Sequence, residues 1–217
     1  MVAFCPVCEY AAPRFFMTVE GRDYWRCERC VATFLDPGQH PPLAREVAEY
    51  DRHENDLHDP GYRRFLARLT DPLRPLLSET AQGLDFGCGP GPALVAMMAE
   101  HGFDMAAYDP IYAPDDRLLE RRYDFITCTE VVEHLFQPAD VFRLLDRMLK
   151  PGGWLGVMTQ FQTDDERFAG WHYRRDPTHV VFYREETFRW LAGEKHWSVQ
   201  IPRKNVVLFH KPETKTP

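Results

Sequence analysis

From Gly83 onward, short apolar runs alternate with stretches in which apolar residues recur at helical spacing. That alternation predicts strands separated by helices, and hence an α/β sheet. The pattern places strands over 84–86, 103–108, 123–128, 154–159, 197–201 and 206–210. It places helices over 93–101, 141–149 and 185–192, with a shorter helical patch over 130–135. In the 141–149 segment, Val141, Leu144, Leu145, Met148 and Leu149 share one face. Residues 161–183 join a strand to a helix, a connection for which about two to six residues are usual, so they read as a loop covering the strand ends.

Before Gly83 the pattern is less regular. Residues 1–36 hold two closely spaced cysteine pairs with aromatic and β-branched residues between them. Asp36-Pro-Gly-Gln-His-Pro-Pro42 continues neither a helix nor a strand. A helix is expected from about Leu43, and another over 62–77, interrupted around Pro72 and Pro75. The chain thus divides into a cysteine module (1–36), a linker with N-terminal helices (37–80) and an α/β domain (81–217).

Composition narrows the setting. The 217 residues suffice for one moderate α/β domain and a small additional module. No uninterrupted apolar run of about 18 residues occurs, so a membrane-spanning helix is not expected. The first residues carry neither a basic region nor an apolar core of the secretory kind, and a cytoplasmic location is expected. The net charge of −7 argues against a polyanionic partner, Arg174 and Arg175 forming only a small basic patch. A small molecule is therefore the expected partner, rather than nucleic acid or a membrane.

Cys5-x-x-Cys8 and Cys27-x-x-Cys30 are separated by 18 residues, the spacing at which two knuckles close on one Zn²⁺. Four thiolates leave no open position for water, so this zinc is expected to be structural. Arg14, Arg22, Arg26 and Arg29 are outnumbered by Glu9, Glu20, Asp23, Glu28 and Asp36, so the module is not basic. Covering the active site, forming a dimer or docking a protein partner are its expected roles. Cys88 and Cys128 read as packing residues.

Strand, Gly87-x-Gly89-x-Gly91, then helix is a geometry that lets backbone approach a nucleotide closely. Asp109 follows Asp85 by 24 positions, at the end of the next strand, where a carboxylate can accept ribose hydroxyls. The surrounding words, Leu84-Asp-Phe-Gly-Cys-Gly-Pro-Gly91, Tyr108-Asp109, Tyr123-Asp-Phe-Ile-Thr-Cys128 and Leu149-Lys-Pro-Gly-Gly-Trp-Leu155, resemble the ordered motifs of class I S-adenosylmethionine (SAM)-dependent methyltransferases. The resemblance covers roughly residues 45–212. It implies a Rossmann-like seven-stranded sheet whose last hairpin is reversed, with SAM across the strand ends. Gly87, Gly89 and Gly91 would flank the amino-acid portion of SAM, Asp85 would act near its amine through water or backbone, and Asp109 would hold the ribose. The acidic residue usual near the adenine amine has no clear counterpart, Asp115 and Asp116 being the nearest.

Glu130-Val-Val-Glu133-His134 carries the candidate chemistry. On a helix these positions share a face, and two carboxylates with an imidazole suit Mg²⁺, Mn²⁺ or Fe²⁺. His179, in the covering loop, is the expected fourth ligand. The set is similar to that of ubiquinone-pathway O-methyltransferases and of small-RNA 3′-terminal 2′-O-methyltransferases, both with a Glu-x-x-Glu-His element. That resemblance implies an ion on Glu130, Glu133, His134 and His179 that activates neighbouring acceptor hydroxyls. Alternatively the pocket is metal-free with His134 as a general base, or the histidine is structural. In the covering loop, Trp171 and Tyr173 are expected to form an aromatic wall and Arg174 or Arg175 to bind the acceptor. The expected function is metal-assisted O-methylation of a small polyhydroxylated or catechol-like acceptor. The alternatives are metal-independent C-, N- or O-methylation, RNA-end methylation and, in a different class, a non-catalytic SAM-binding protein.

Overall fold

The computed structural model describes residues 2–52 and 56–213. Positions 53–55 of the expected linker, 214–217 of the expected α/β domain and Met1 lie outside the described residues. The chain begins with a meander of β1 (Arg14–Val19), β2 (Arg22–Arg26) and β3 (Thr33–Leu35). Glu20 and Gly21, both at positive φ, make the tight turn between β1 and β2. Helices α1 (Leu43–Tyr50) and α2 (Pro60–Leu73) follow. Asp59 caps α2 by accepting from Gly61 and Tyr62 N–H, and Pro60 sits at its first position, where no amide is needed.

The α/β part runs β4 (Gln82–Phe86), α3 (Ala93–Glu100), β5 (Asp104–Tyr108), β6 (Tyr123–Thr129), α4 (Pro138–Met148), β7 (Leu149–Met158), β8 (Val181–Phe182), α5 (Glu185–Glu194), β9 (Ser198–Arg203) and β10 (Val206–His210). Among the described residues the central sheet has six strands in the order β5-β4-β6-β7-β10-β9. β4 to β7 pair in parallel, and β10 lies antiparallel to both β7 and β9, so the reversed hairpin is present. Among the described residues the expected seventh strand is not present, and β5 is the edge of the sheet. The short stretch between β5 and β6 forms an isolated Asp109–Ala113 bridge and a single 3-10 turn (Asp116–Glu120), leaving no length for a further helix and strand.

Side chains alternate across the sheet as a pleated strand requires. Val206 and Leu208 face α2 and α3, where Leu66, Leu69, Leu94 and Met98 are buried. Val207 and Phe209 face the other layer, which contains Phe142, Phe188 and Tyr183 and also Cys5, Tyr24 and Phe34 of the N-terminal module. The module is therefore continuous with the core on that face. Part of the expected covering loop is the strand β8, which joins the module's sheet as its fourth strand, β1-β2-β3-β8. Phe34 pairs with Val181, and Leu35 N–H donates to Val180 C=O at 2.8 Å. Ala139 N–H donates to Pro6 C=O at 3.0 Å, and Arg143 reaches Glu9 at 2.8 Å.

Candidate active site

Parallel strands open a crevice where neighbouring connections leave in opposite directions, and here that point lies between β4 and β6. A cavity of about 730 Å³ occupies it, a size suited to a cofactor and a small ligand together. Gly87, Cys88, Gly89 and Pro90 form part of its wall. The loop is pinned back by Gly87 and Cys88 N–H groups donating to Tyr108 C=O at 2.7 and 3.1 Å. Gly87 has φ +81°, and a Cβ there would stand 2.4 Å from Val131 Cγ2. Glycine is thus required for both conformation and clearance.

Asp109, at the end of β5, also lies on the wall. Its carboxylate accepts from Gly89 N–H at 3.1 Å and from Ile111 and Tyr112 N–H at 2.8 and 3.0 Å, tying the glycine loop to the next one. Asp85 and Gly91 are not wall residues. Asp85 is buried in β4 and accepts from the Thr127 hydroxyl at 2.6 Å, and burial pushes its carboxyl up to about 6. Asp115 and Asp116 do not line the cavity either, Asp115 capping its own turn and pairing with Arg117.

The segment 130–135 does not form the expected helix. Glu130 leaves β6 at φ +52°, a left-handed conformation that turns the chain, and a 3-10 turn over Val132–His134 follows. Pro138 then starts α4, so the intervening residues are too few for a helix of their own. Convergence comes from tertiary structure instead. Val180 N–H donates to Glu133 C=O at 2.9 Å, bringing the 176–180 segment alongside the turn. One ligand atom each from Glu133, His134 and His179 then lies within 4.8 Å of the others. Glu130 stands outside that set but lines the same cavity.

Both imidazoles are oriented by carbonyl groups. His134 Nδ1 lies 3.3 Å from Thr178 C=O, and His179 Nδ1 lies 2.7 Å from Tyr173 C=O. A carbonyl only accepts, so each Nδ1 carries a hydrogen, and Nε2 is the nitrogen that a neutral ring would offer to an ion. His134 Nε2 is 4.0 Å from Glu133 Oε1, and His179 Nε2 is 3.8 Å from Asp176 Oδ2. Ligands about 2.1 Å from a common ion stand roughly 3–4 Å apart, so the His134–Glu133 separation fits one, whereas Asp176 lies outside the ligand set. Burial lowers His134 to about 4, which keeps its ring neutral near pH 7.

Tyr173 was expected to line an acceptor wall, but it is buried beneath this cluster and its hydroxyl bonds to Glu133 and, at 3.1 Å, to Glu130. One phenolic proton cannot satisfy two carboxylates. Burial, reinforced by the charge of Glu133, pushes the Glu130 carboxyl well above its usual range, and Glu130 Oε1 and Glu133 Oε2 remain without hydrogen-bond partners among the described residues. Buried oxygens of this kind are what a bound cation would satisfy.

Other expectations for the covering segment are corrected. Arg174 is 1% exposed and is held by Glu20 at 2.9 Å, fastening the segment to the N-terminal module rather than meeting an acceptor. Arg175 is exposed and off the cavity. Trp171 packs against Tyr173 and Phe182, also away from the main cavity. Asp176, Tyr50 and Glu46 do line it and escaped the sequence reading. For the last two, the available signal was the i, i+3, i+7 spacing of Leu43, Glu46 and Tyr50 on one helix.

The four N-terminal sulfurs also converge within 4.8 Å of one another. Cys5 Sγ is 3.7 Å from Cys30 Sγ, and Cys8 Sγ is 3.4 Å from Cys27 Sγ, too far for disulfides. Tetrahedral Zn–S bonds of about 2.3 Å place sulfurs about 3.8 Å apart, close to these values. Arg29 and Cys30 N–H groups donate to Cys27 Sγ at 3.3 and 3.4 Å, which favours a thiolate there.

A family profile described as "Methyltransferase domain" matches residues 50–199. Among curated relatives, the ubiquinone biosynthesis O-methyltransferase of Leptothrix cholodnii is 27% identical over 146 residues, 53% of this chain and 62% of the relative. That of Serratia proteamaculans is 34% identical over 71 residues, 33% of this chain and 30% of the relative. The chain thus spans less than two thirds of either. Among solved structures, the 1,6-didemethyltoxoflavin-N1-methyltransferase of Burkholderia thailandensis, with its substrate and S-adenosylhomocysteine (SAH) bound, superposes with a TM-score of 0.55 at 16% identity. It covers 92% of this chain and 100% of its own. A SAM-dependent methyltransferase of Methanosarcina mazei gives 0.52 at 15% identity, covering 66% and 98%. The profile match extends over most of the chain, and the chain belongs to the methyltransferase-domain family with the class I, SAM-dependent fold.

Proposed function

We propose that the protein transfers the methyl group of SAM to a hydroxyl oxygen of a small polyhydroxylated or catechol-like acceptor. A divalent ion (Mg²⁺, Mn²⁺ or Fe²⁺) on Glu133, His134 and His179, with Glu130 completing the set, assists. The observation that carries this reading is the meeting of those three ligand atoms within 4.8 Å, beside a cavity whose wall also includes the glycine loop. When bound, such an ion supplies Lewis acidity, lowering the pKa of acceptor hydroxyls. Gly87 and Gly89 would flank the methionine end of SAM, and Asp109, on the same cavity wall, would accept ribose hydroxyls. Asp85 would act on the SAM amine from a distance, through water or backbone. The Thr178 and Tyr173 carbonyls hold both rings by Nδ1, leaving Nε2 as the nitrogen for the ion. In the reaction the S–CH₃ bond breaks as an O–CH₃ bond forms, SAM leaves as SAH, and the acceptor's hydroxyl proton passes to solvent water. The names of the curated relatives support oxygen as the methylated atom.

A second reading dispenses with the ion and lets His134 take the proton directly, since its Nε2 is unprotonated. An imidazole lowered to about 4 is a weak base, which favours the first reading. Methylation of an RNA end is disfavoured because no Lys or Arg is among the described wall residues. At the N-terminus, the four-cysteine cluster is proposed to hold a structural Zn²⁺.

The test is SAH formation from catechols, polyols and nucleosides, after chelation and after return of each ion. The reading expects turnover of catechols or polyols that needs the ion and falls at least about a hundredfold in His134→Ala and His179→Ala. Full turnover after chelation would leave the metal-free enzyme, and SAM binding without any turnover would favour a regulatory protein.

A further inference from the structure

Helix α1 forms one side of the cavity through Leu43, Glu46 and Tyr50, spaced i, i+3, i+7 on a single face. Its one buried residue is charged. Glu46 is 8% exposed, whereas Leu43 on the same face is 65% exposed. Burying a carboxylate without a compensating partner is costly, so its presence at the one buried position of a short helix needs a reason. Among the described residues its hydrogen-bond partner is the Tyr50 hydroxyl, which donates to Oε1 at 3.3 Å. No cation is paired with it there, and burial pushes its carboxyl up.

The position of Glu46 sets it apart from the other acidic wall residues. Asp109 belongs to the glycine-loop end, and Glu130 and Asp176 stand beside the ligand cluster. Glu46 is used by neither. It is connected through Tyr50, whose ring meets His134 edge-on with centroids 5.2 Å apart, so it faces the same space from one tyrosine farther out. An acceptor with its reacting hydroxyl at the His134 cluster would extend its far end toward Glu46.

From this geometry we infer that Glu46 determines acceptor specificity by receiving a positively charged amino group at the end of the acceptor remote from the methylated hydroxyl. The inference rests on the methyl-acceptor reading of the cavity. It makes the substrate class an amine-bearing catechol or polyol and excludes acceptors with a carboxylate or phosphate at that end, which would meet a buried negative charge.

The test uses three probes of one ring type: dopamine, catechol and 3,4-dihydroxyphenylacetate. Each is titrated calorimetrically into the Mg²⁺-supplemented full-length protein saturated with SAH, in wild type, Glu46→Gln and Glu46→Lys. Dopamine is expected to bind at least about tenfold more tightly than either other probe in wild type, the scale of a hydrogen bond to a charged group. Glu46→Gln should reduce that margin to about threefold or less, and Glu46→Lys should favour the carboxylate. A retained SAH affinity verifies that each variant is folded. Equal affinities in wild type, an amine preference that survives Glu46→Gln, or no dopamine binding would each overturn the inference. Methyl transfer with SAM is read in parallel. Ranked binding without transfer keeps the Glu46 assignment and contradicts O-methylation, and transfer without ranking does the reverse.

Discussion

Gly87 links the cofactor loop to the chemistry, because the atom its missing Cβ would strike belongs to Val131, between Glu130 and the ligand turn. Gly87→Ala combines a left-handed backbone with that 2.4 Å clash, and is expected to weaken SAH binding at least tenfold while the cooperative thermal transition remains; unchanged calorimetric affinity would contradict it. Asp85 gives a pH prediction. Its folded carboxyl titrates near 6 and its unfolded one near 3.9, so between those values the native state holds a proton that the unfolded state has lost. Stability therefore falls as pH rises from about 4 to about 6 and is level above, by on the order of 2–3 kcal/mol from this group. Asp85→Asn can still accept from Thr127 and should flatten that slope in melting curves across this range. It should also weaken SAM binding, since an ionised Asp85 attracts the cofactor's ammonium and sulfonium charges.

At the scale of elements, the ligand turn shows how far local pattern carries. Residues 206–210 were legible as a strand because their apolar run is bounded by polar residues, and 84–86 because glycines bound it on both sides. The Glu-x-x-Glu-His spacing marked a candidate ligand set, of which Glu133 and His134 converge with His179, but was misleading as a helix, since the left-handed Glu130 and the nearby Pro138 leave one 3-10 turn. The contribution of Tyr173 was not legible, because a tyrosine in a long loop carries no mark of a buried carboxyl pair 40 or more positions away. Removing its hydroxyl leaves both carboxyls without their shared donor. Tyr173→Phe is expected to cost about 1–3 kcal/mol in the ion-free protein. Added Mn²⁺ should restore part of that loss, and thermal shifts with and without the ion distinguish this from a purely packing defect, which Mn²⁺ would not repair.

For the molecule as a whole, the N-terminal module belongs to the architecture of the site. β3 and β8 pair just after His179, Glu20 clasps Arg174 just after Tyr173, and Cys5, Tyr24 and Phe34 share a core layer with Tyr183 and Phe188. These contacts join residues far apart in sequence, which is why the pattern alone suggested an appendage. Stripping the proposed Zn²⁺, or Cys27→Ser, should consequently lower the melting temperature of the whole chain in one transition. Two separate calorimetric transitions, the upper one unchanged, would show the module to be independent.

The most direct test of the central claim is Mn²⁺ binding to the SAH complex, followed by electron paramagnetic resonance with Zn²⁺ already on the cysteine cluster. One site is predicted beyond the cysteines, abolished by His134→Ala and by His179→Ala and retained in Cys88→Ser. No saturable binding, or binding indifferent to both histidines, would contradict a metal centre at Glu133, His134 and His179.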